Sequence, residues 1–281
     1  MFDTENMEED ITITAQDGLV LRGIHWQMPQ PEAILCVVHG FGEHVGRYRH
    51  MAGLLGNFNL AVIGVDLRGH GRSQGLRGHA GSYDLLMSDI EELLKYARAT
   101  YTDLPLFLYG HSMGGNLVIN YVLRMPVFEI TGFVASSPWL KLAFDPPAWK
   151  IKAGQIMARL YPAFRQSSEL DTSAISRDPQ EVKAYEEDPL VNGKISAGLF
   201  QMISDAGEYA MGNIGELKVQ GLLTQGMADR IINPDVNHQL AISSEHMEWI
   251  AYPDSYHEPH NDLDRESVIN NLITWIKRQI K

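Results

Sequence analysis

A single cysteine, Cys36, stands among 281 residues, so no disulfide can form within the chain. Its neighbours Ile34, Leu35, Val37 and Val38 make it a core strand residue rather than a reactive thiol. No apolar run approaches the ~20 residues that a membrane-spanning helix needs. The opening stretch Met1-Phe2-Asp3-Thr4-Glu5-Asn6-Met7-Glu8-Glu9-Asp10 has the wrong charge for a signal peptide and lacks an apolar stretch. A cytoplasmic setting is therefore expected. Positive charge is scarce as well: 23 Lys and Arg stand against 35 Asp and Glu, a net charge of −12. A nucleic-acid partner is excluded, because phosphate binding needs a concentrated basic surface. Neither an H-E-x-x-H motif nor a Cys–His ligand spacing occurs, so no metal and no cofactor is expected. Repeats, low-complexity tracts and Ser/Gly-rich linkers are also lacking, and the chain reads as folded from end to end.

What is present has the rhythm of an α/β protein. Two alternating segments, 11–14 and 20–26, flank Gln16-Asp17-Gly18, a hairpin turn signal. Residues 33–38, 61–65, 106–109 and 132–135 are then short, nearly continuous apolar runs, as expected of strands buried on both faces of a parallel sheet. Helical patterns lie between them: 83–101, with Asp89, Glu91 and Glu92 early and Lys95 and Arg98 late, and 116–123. Such alternation implies right-handed crossovers and helices on both faces of the sheet. From 138 to 217 the rhythm breaks. This stretch is polar and helical, punctuated by Pro146, Pro147, Pro162, Pro179 and Pro189, with no convincing strand. Strand patterns resume at 219–224 and 247–251, and 267–280 is an amphipathic helix. The expectation is a core in two parts, 1–137 and 218–281, with a helical cap at 138–217 inserted after the sixth strand.

Leu106-Phe107-Leu108-Tyr109 runs directly into Gly110-His111-Ser112-Met113-Gly114-Gly115, and a helix follows. That is a G-x-S-x-G elbow in a strand–turn–helix context. The flanking glycines let strand and helix approach, and the Ser112 hydroxyl projects at a helix N-terminus, where free N–H groups favour developing negative charge. An acyl-transfer serine also needs backbone donors aimed at the oxyanion. Met113 N–H, just after the nucleophile, is one candidate. Phe41 N–H, within His39-Gly40-Phe41-Gly42-Glu43-His44 at the end of the 33–38 strand, is the other.

The acid and the base should follow Ser112 in the order Asp/Glu, then His, each at a strand end. Asp229 follows the strand at 219–224 through Gln225-Gly226-Met227-Ala228. Its rival Asp235 lies just after Pro234, where an acid commonly belongs to a helix start. Four histidines come later: His238 in a helical stretch, His246 just before a strand, and His257 and His260 in the loop after 247–251. Position favours His257 over His260. His70 and His111 read as loop or packing residues.

With these residues in place, the chain resembles the monoacylglycerol lipase-like branch of the α/β-hydrolases, a group also described as serine aminopeptidase or lysophospholipase-like. The resemblance is carried by His39-Gly40-Phe41-Gly42-Glu43-His44 with Arg47-Tyr48, and by Asp66-Leu67-Arg68-Gly69-His70-Gly71-Arg72-Ser73. It continues through Gly110 to Gly115, Asp178-Pro179, Tyr185, Asp188-Pro189-Leu190-Val191, Asp229-Arg230, and Tyr256-His257 with His260. It implies an α/β-hydrolase fold with a mostly parallel twisted sheet, and hydrolysis of lipid esters through an acyl-enzyme. It further implies a polar pocket for a glycerol headgroup built from Glu43, Arg47, Tyr185 and His260. Relatives with similar motifs act on lysophospholipids or simple esters, and a peptidase or a non-catalytic binding protein on the same scaffold stays open.

Trp149, Ala153, Ile156, Met157, Leu160 and Phe164 fall on one helical stripe near Lys150, Lys152, Arg159 and Arg165, with no acid between Asp145 and Glu169. Two expectations follow. The stripe either packs on the core, or rests transiently on a membrane or lipid-droplet surface and admits a lipid ester.

Overall fold

The computed structural model describes residues 7–125 and 129–280. Residues 1–6, on which much of the reading of the opening stretch rests, lie outside the described residues. In chain order the elements begin with strands β1 (Glu8–Thr14), β2 (Val20–Trp26) and β3 (Ala33–Val38), helix α1 (Arg49–Gly56), strand β4 (Leu60–Val65) and helix α2 (Tyr83–Thr100). Strand β5 (Leu106–His111), helix α3 (Met113–Arg124) and strand β6 (Gly132–Ser136) come next. They are followed by α4 (Ala148–Leu160), β7 (Arg165–Ser167), α5 (Pro179–Glu187), β8 (Lys194–Ser196) and α6 (Ala197–Asn213). The chain closes with β9 (Gly221–Gly226), α7 (Pro234–Ile242), β10 (Met247–Tyr252) and α8 (Arg265–Gln279).

Among the described residues, eight strands form one sheet in the order β1-β2-β4-β3-β5-β6-β9-β10. The β1–β2 and β2–β4 pairs are antiparallel and every later pair is parallel. Strand β3 shows why continuous apolar runs were needed. Alternate residues of a strand point to opposite faces. Ile34, Cys36 and Val38 enter one core cluster, with Leu86, Met87, Ile90 and Leu93 of α2 and Leu117 and Val118 of α3. Ala33, Leu35 and Val37 enter a second, with Met51, Ala52 and Leu55 of α1 and Ile269, Leu272 and Trp275 of α8. Each face is thus closed by a pair of helices, giving three layers of an α/β-hydrolase fold. Helix α2 begins where the Ser82 hydroxyl accepts from Leu85 N–H at 3.2 Å, with Asp84 in its first turn and Arg98 in its last.

After β3 the chain passes to β4 on one side, and β5 then returns to the other side of β3. The C-terminal ends of β3 and β5 therefore lie beside a topological switch point, where open parallel sheets carry their sites. Val38 pairs with Gly110 there, so the loops after the two strands emerge side by side.

Between β6 and β9 stand α4, β7, α5, β8 and α6. Helix α6 is fixed on α3 by two buried asparagines: Asn116 Nδ2 donates to Trp139 O (2.8 Å) and Ile203 O (3.0 Å), and Asn120 Nδ2 to Ala206 O (3.0 Å).

Two features depart from the sequence expectation. The 138–217 segment holds a short antiparallel pair, β7 with β8. Each strand has only three residues and Arg165, Gln166 and Ser167 are all exposed, so no hydrophobic alternation marked them. Helix α1 was passed over because its apolar residues follow a glycine-rich loop with no capping side chain. Of the two arrangements open for the apolar stripe of α4, packing on the core holds only in part: Met157 is half-buried, whereas Trp149, Ile156 and Leu160 are 71%, 56% and 78% exposed.

Candidate active site

Ser112 occupies the turn between β5 and α3 with φ 53° and ψ −115°. A non-glycine residue pays about 1–3 kcal/mol for such a backbone, so the surroundings must impose it. Ser112 N–H donates to Ser136 O at 2.9 Å, and Ser112 O accepts from Asn116 N–H at 3.0 Å and Trp139 N–H at 2.9 Å. The glycines of the elbow are dictated by contact. A Cβ on Gly110 would lie 2.2 Å from Gly114 O, and one on Gly114 would lie 2.0 Å from Val38 O.

His257 Nε2 lies 3.0 Å from Ser112 Oγ, and His257 Nδ1 lies 2.8 Å from Asp229 Oδ2. The three side chains come from the ends of β5, β9 and β10 and are buried. Asp229 is held on both oxygens. Oδ1 accepts from the N–H groups of Ile231 (2.8 Å) and Ile232 (3.0 Å), and Oδ2 accepts from Gln225 Nε2 (3.0 Å) as well as His257. The Gln225 oxygen accepts in turn from Asn237 Nδ2 at 2.7 Å. Burial favours the neutral imidazole of His257, but the Asp229 carboxylate outweighs it and leaves the pKa above its ordinary 6.5.

The loop after β3 is stiffened from within. His39 Nε2 accepts from Leu67 N–H at 2.8 Å, so Nδ1 carries the proton and donates to Gly40 O at 2.7 Å. Burial pushes the His39 pKa down to about 3, which keeps that neutral tautomer at pH 7. Gly40 N–H donates to Glu43 Oε1 at 2.6 Å. Among the described residues, neither Phe41 N–H nor Met113 N–H is spent on another protein acceptor. Both remain available to an incoming oxyanion.

Asp235 lies exposed in the first turn of α7, behind the Asn233 cap, and touches none of these groups. His238 lies tilted against Trp249, ring centroids 5.1 Å apart, and His246 Nδ1 accepts from Gln220 Nε2 at 2.9 Å. His70 packs edge-on against Phe41 and His39. His111 lies 4.8 Å from the His257 ring and 4.7 Å from that of His260, centroid to centroid. His260 is buried, stacked on Tyr48 at 5.1 Å, and does not reach Ser112. Burial drives the pKa of His111 well below the usual range and that of His260 down to about 4.

A cavity of about 200 Å³ opens over Ser112 and His257. Its apolar wall includes Trp139, Leu170, Ile175, Ile195, Phe200 and Ile231, and Glu43, Tyr185 and Glu258 line it as well. Of the four residues expected at a headgroup pocket, Glu43 and Tyr185 face this cavity, whereas Arg47 and His260 do not line it. Arg47 is buried between two carboxylates: Nη1 donates to Glu43 Oε2 (2.9 Å) and Glu258 Oε1 (2.8 Å), and Nη2 to Glu258 Oε2 (2.8 Å). Its guanidinium also lies 4.8 Å from the centre of the Tyr185 ring. Burial alone would raise both carboxyls. The doubly bonded Glu258 is nonetheless held down to about 2 by Arg47, while Glu43, with one bond to it, stays raised.

Sequence reasoning missed Gln225 and Glu258. Both had a local signal: Gln225 stands four residues before the candidate acid at the same strand end, and Glu258 directly follows the candidate base.

The family model described as serine aminopeptidase, S33, matches residues 29–264. The chain is 32% identical over 250 residues to a monoacylglycerol lipase of Mycolicibacterium smegmatis, covering 88% of each. It is 31% identical over 255 residues to an uncharacterized abhydrolase domain-containing protein of Dictyostelium discoideum, covering 90% of this chain and spanning 27% of that protein's length. The crystal structure of Paleococcus ferrophilus monoacylglycerol lipase superposes with a TM-score of 0.84 at 32% identity, covering 92% of this chain and 99% of that one.

Proposed function

The chain belongs to the serine aminopeptidase S33 family, in the monoacylglycerol lipase-like branch of the α/β-hydrolases, and from that premise we propose that it hydrolyses monoacylglycerols to fatty acid and glycerol. It is a hydrolase of carboxylic esters of lipids. The observation that carries the finer reading is the unbroken run from Ser112 through His257 to Asp229, at 3.0 and 2.8 Å, beneath an apolar cavity that also holds Glu43 and Tyr185.

In this reading His257 Nε2 takes the Ser112 proton as Oγ attacks the ester carbonyl. Asp229 fixes the imidazole through Nδ1 and stabilises the imidazolium. Phe41 and Met113 N–H groups receive the oxyanion, each contributing about 3–4 kcal/mol to the barrier reduction. His257 then protonates the departing glycerol oxygen, and a water activated by the same ring releases the fatty acid. The acyl chain lies along Leu170, Ile175, Ile195 and Phe200, and Glu43 and Tyr185 meet the glycerol hydroxyls, with Arg47 and His260 in the buried layer behind them.

Residues 138–217 serve as the cap over this cavity. Among the described residues, no helix is long and apolar enough to cross a membrane. The exposed Trp149, Ile156 and Leu160, beside Lys152 and Arg159 on a chain of net charge −12, instead suit transient contact of α4 with an anionic lipid surface. The enzyme would then be cytoplasmic and visit that surface to collect substrate. Initial rates across monoacylglycerols, diacylglycerols, triacylglycerols, lysophospholipids and aminoacyl amides test the proposal. The highest kcat/KM is expected for a monoacylglycerol. A faster lysophospholipid or amide would overturn it.

A further inference from the structure

The oxyanion loop follows β3 and the base loop follows β10, at positions four strands apart in the sheet. Among the described residues, no backbone hydrogen bond joins residues 39–48 to residues 253–262. The chemistry nevertheless requires Phe41 N–H to meet the carbonyl oxygen at the moment His257 Nε2 takes the proton of the attacking Ser112 Oγ. The sheet spaces the strand ends, and direct contact between the two loops that extend beyond them is left to side chains.

We propose that Arg47 is a positioning residue that ties the oxyanion loop to the base loop. One guanidinium bonds Glu43 on the first loop and grips both oxygens of Glu258 on the second. Glu43 passes the constraint on: its other oxygen accepts from Gly40 N–H at 2.6 Å, one residue before Phe41, and from Tyr48 Oη at 2.8 Å. Glu258 is the chain neighbour of His257 and is itself fixed by Asn261 Nδ2 at 2.9 Å and by its own N–H on Ile175 O at 2.8 Å. Bidentate guanidinium–carboxylate pairing sets orientation as well as distance, which a lysine cannot reproduce. The Arg47 side chain is 8% exposed, and the two carboxylates it bonds are 2% and 4% exposed. Three of its five N–H donors are spent on them, and the Tyr185 ring covers one face. Its effect therefore falls on the reacting geometry of every ester, not on the glycerol headgroup.

The inference rests on the assignment of Ser112, His257 and Phe41 made above, so the experiment tests the two separately. Ser112→Ala first establishes whether turnover depends on the elbow; if it does not, the assignment itself fails. Arg47→Met and the milder Arg47→Lys are then compared with the wild type on a monoacylglycerol and on the methyl ester of the same fatty acid. Thermal unfolding of each variant is followed by circular dichroism. Displacement of one loop by about 1 Å is expected to lower kcat about 10²-fold in Arg47→Met. The loss should be equal on the two esters with KM little changed, and a fluorophosphonate should inactivate the variant correspondingly slowly. Arg47→Lys, which restores charge but not the fork, should recover only part of the rate. Should Arg47→Met fail to fold, the same kcat-against-KM comparison on folded Arg47→Lys decides. A loss confined to the monoacylglycerol, or appearing in KM alone, would make Arg47 a headgroup ligand and overturn the proposal. Unchanged kcat in folded variants would overturn it as well.

Discussion

Gln225 Nε2 donates to Asp229 Oδ2 at 3.0 Å, the oxygen on which His257 Nδ1 also rests at 2.8 Å. With Ile231 and Ile232 N–H on Oδ1, the carboxylate has one orientation available to it. Asp229→Asn would replace an oxygen by an amide donor at a point already facing donors, so the imidazole loses its tautomer and its alignment. A loss of about 10⁴-fold in kcat is expected by analogy with other triads. Asp235→Asn and Asp254→Asn should be nearly silent, since both are exposed and neither bonds His257 or Ser112. Steady-state kinetics on a p-nitrophenyl ester checks this, and a severe loss at either exposed site would move the acid.

Ser112→Ala should reduce kcat on the same ester by about 10⁴ to 10⁶-fold. Mass spectrometry of the wild type treated with a fluorophosphonate should find the adduct on the peptide carrying Ser112 and nowhere else. Labelling at another serine with activity retained in the mutant would refute the assignment.

The pKa of His257 is raised above 6.5, because the Asp229 carboxylate overcomes the burial that favours the neutral ring. A general base must be neutral, so kcat/KM should fall as pH drops through that raised value, giving an acid limb above pH 6.5. Stability moves the opposite way. Protonated His257 is favoured in the folded state, so its contribution is fully present below the unfolded pKa and is lost as pH rises through the folded one. His111 and His260 stay neutral throughout, one held well below the ordinary value and the other at about 4. The acid limb therefore reports His257. His260→Ala should retain it, and an acid limb near pH 4 would transfer the base role.

Helix α4 exposes Trp149 and Leu160 to 71% and 78%. If this face meets lipid, the double variant Trp149→Glu, Leu160→Glu should lose sedimentation with phosphatidylserine-containing vesicles and hydrolyse vesicle-borne monoacylglycerol more slowly. Its rate on a water-soluble ester should be unchanged. Undiminished vesicle binding would leave α4 without that role.

Strand and elbow positions were legible because their constraints are local and steric. Continuous apolar runs mark strands buried on both faces, as 33–38 does, and Gly110 and Gly114 mark a crossing too close for any Cβ. That Asp229 and His257 would meet beside Ser112 could be read from chain order and strand ends. The partners of Arg47 were only half visible. Its bond to Glu43 lies within one turn of chain, but its grip on Glu258 spans 211 positions and follows from the order of the sheet. The β7–β8 pair was hidden for the same reason: three polar residues carry no period, and Gln166 meets Ile195 only after α5 has folded back.

Tyr185 separates headgroup recognition from support of the fold. Its side chain lines the cavity with Glu43, while its ring also covers the Arg47 guanidinium at 4.8 Å. Tyr185→Phe removes the hydroxyl and keeps the ring, so the stacking on Arg47, and with it the spacing of the two loops, should survive. If the hydroxyl bonds a glycerol oxygen, its removal leaves that oxygen unpaired in a desolvated site and costs about 1–3 kcal/mol in kcat/KM for a monoacylglycerol. The methyl ester of the same fatty acid has no hydroxyl to lose and should be hydrolysed at nearly the wild-type rate. Competition between the two esters in one reaction measures the ratio directly. A ratio unchanged by the mutation would mean that the phenol does not read the headgroup, and would leave Glu43 alone to face the glycerol hydroxyls in the cavity.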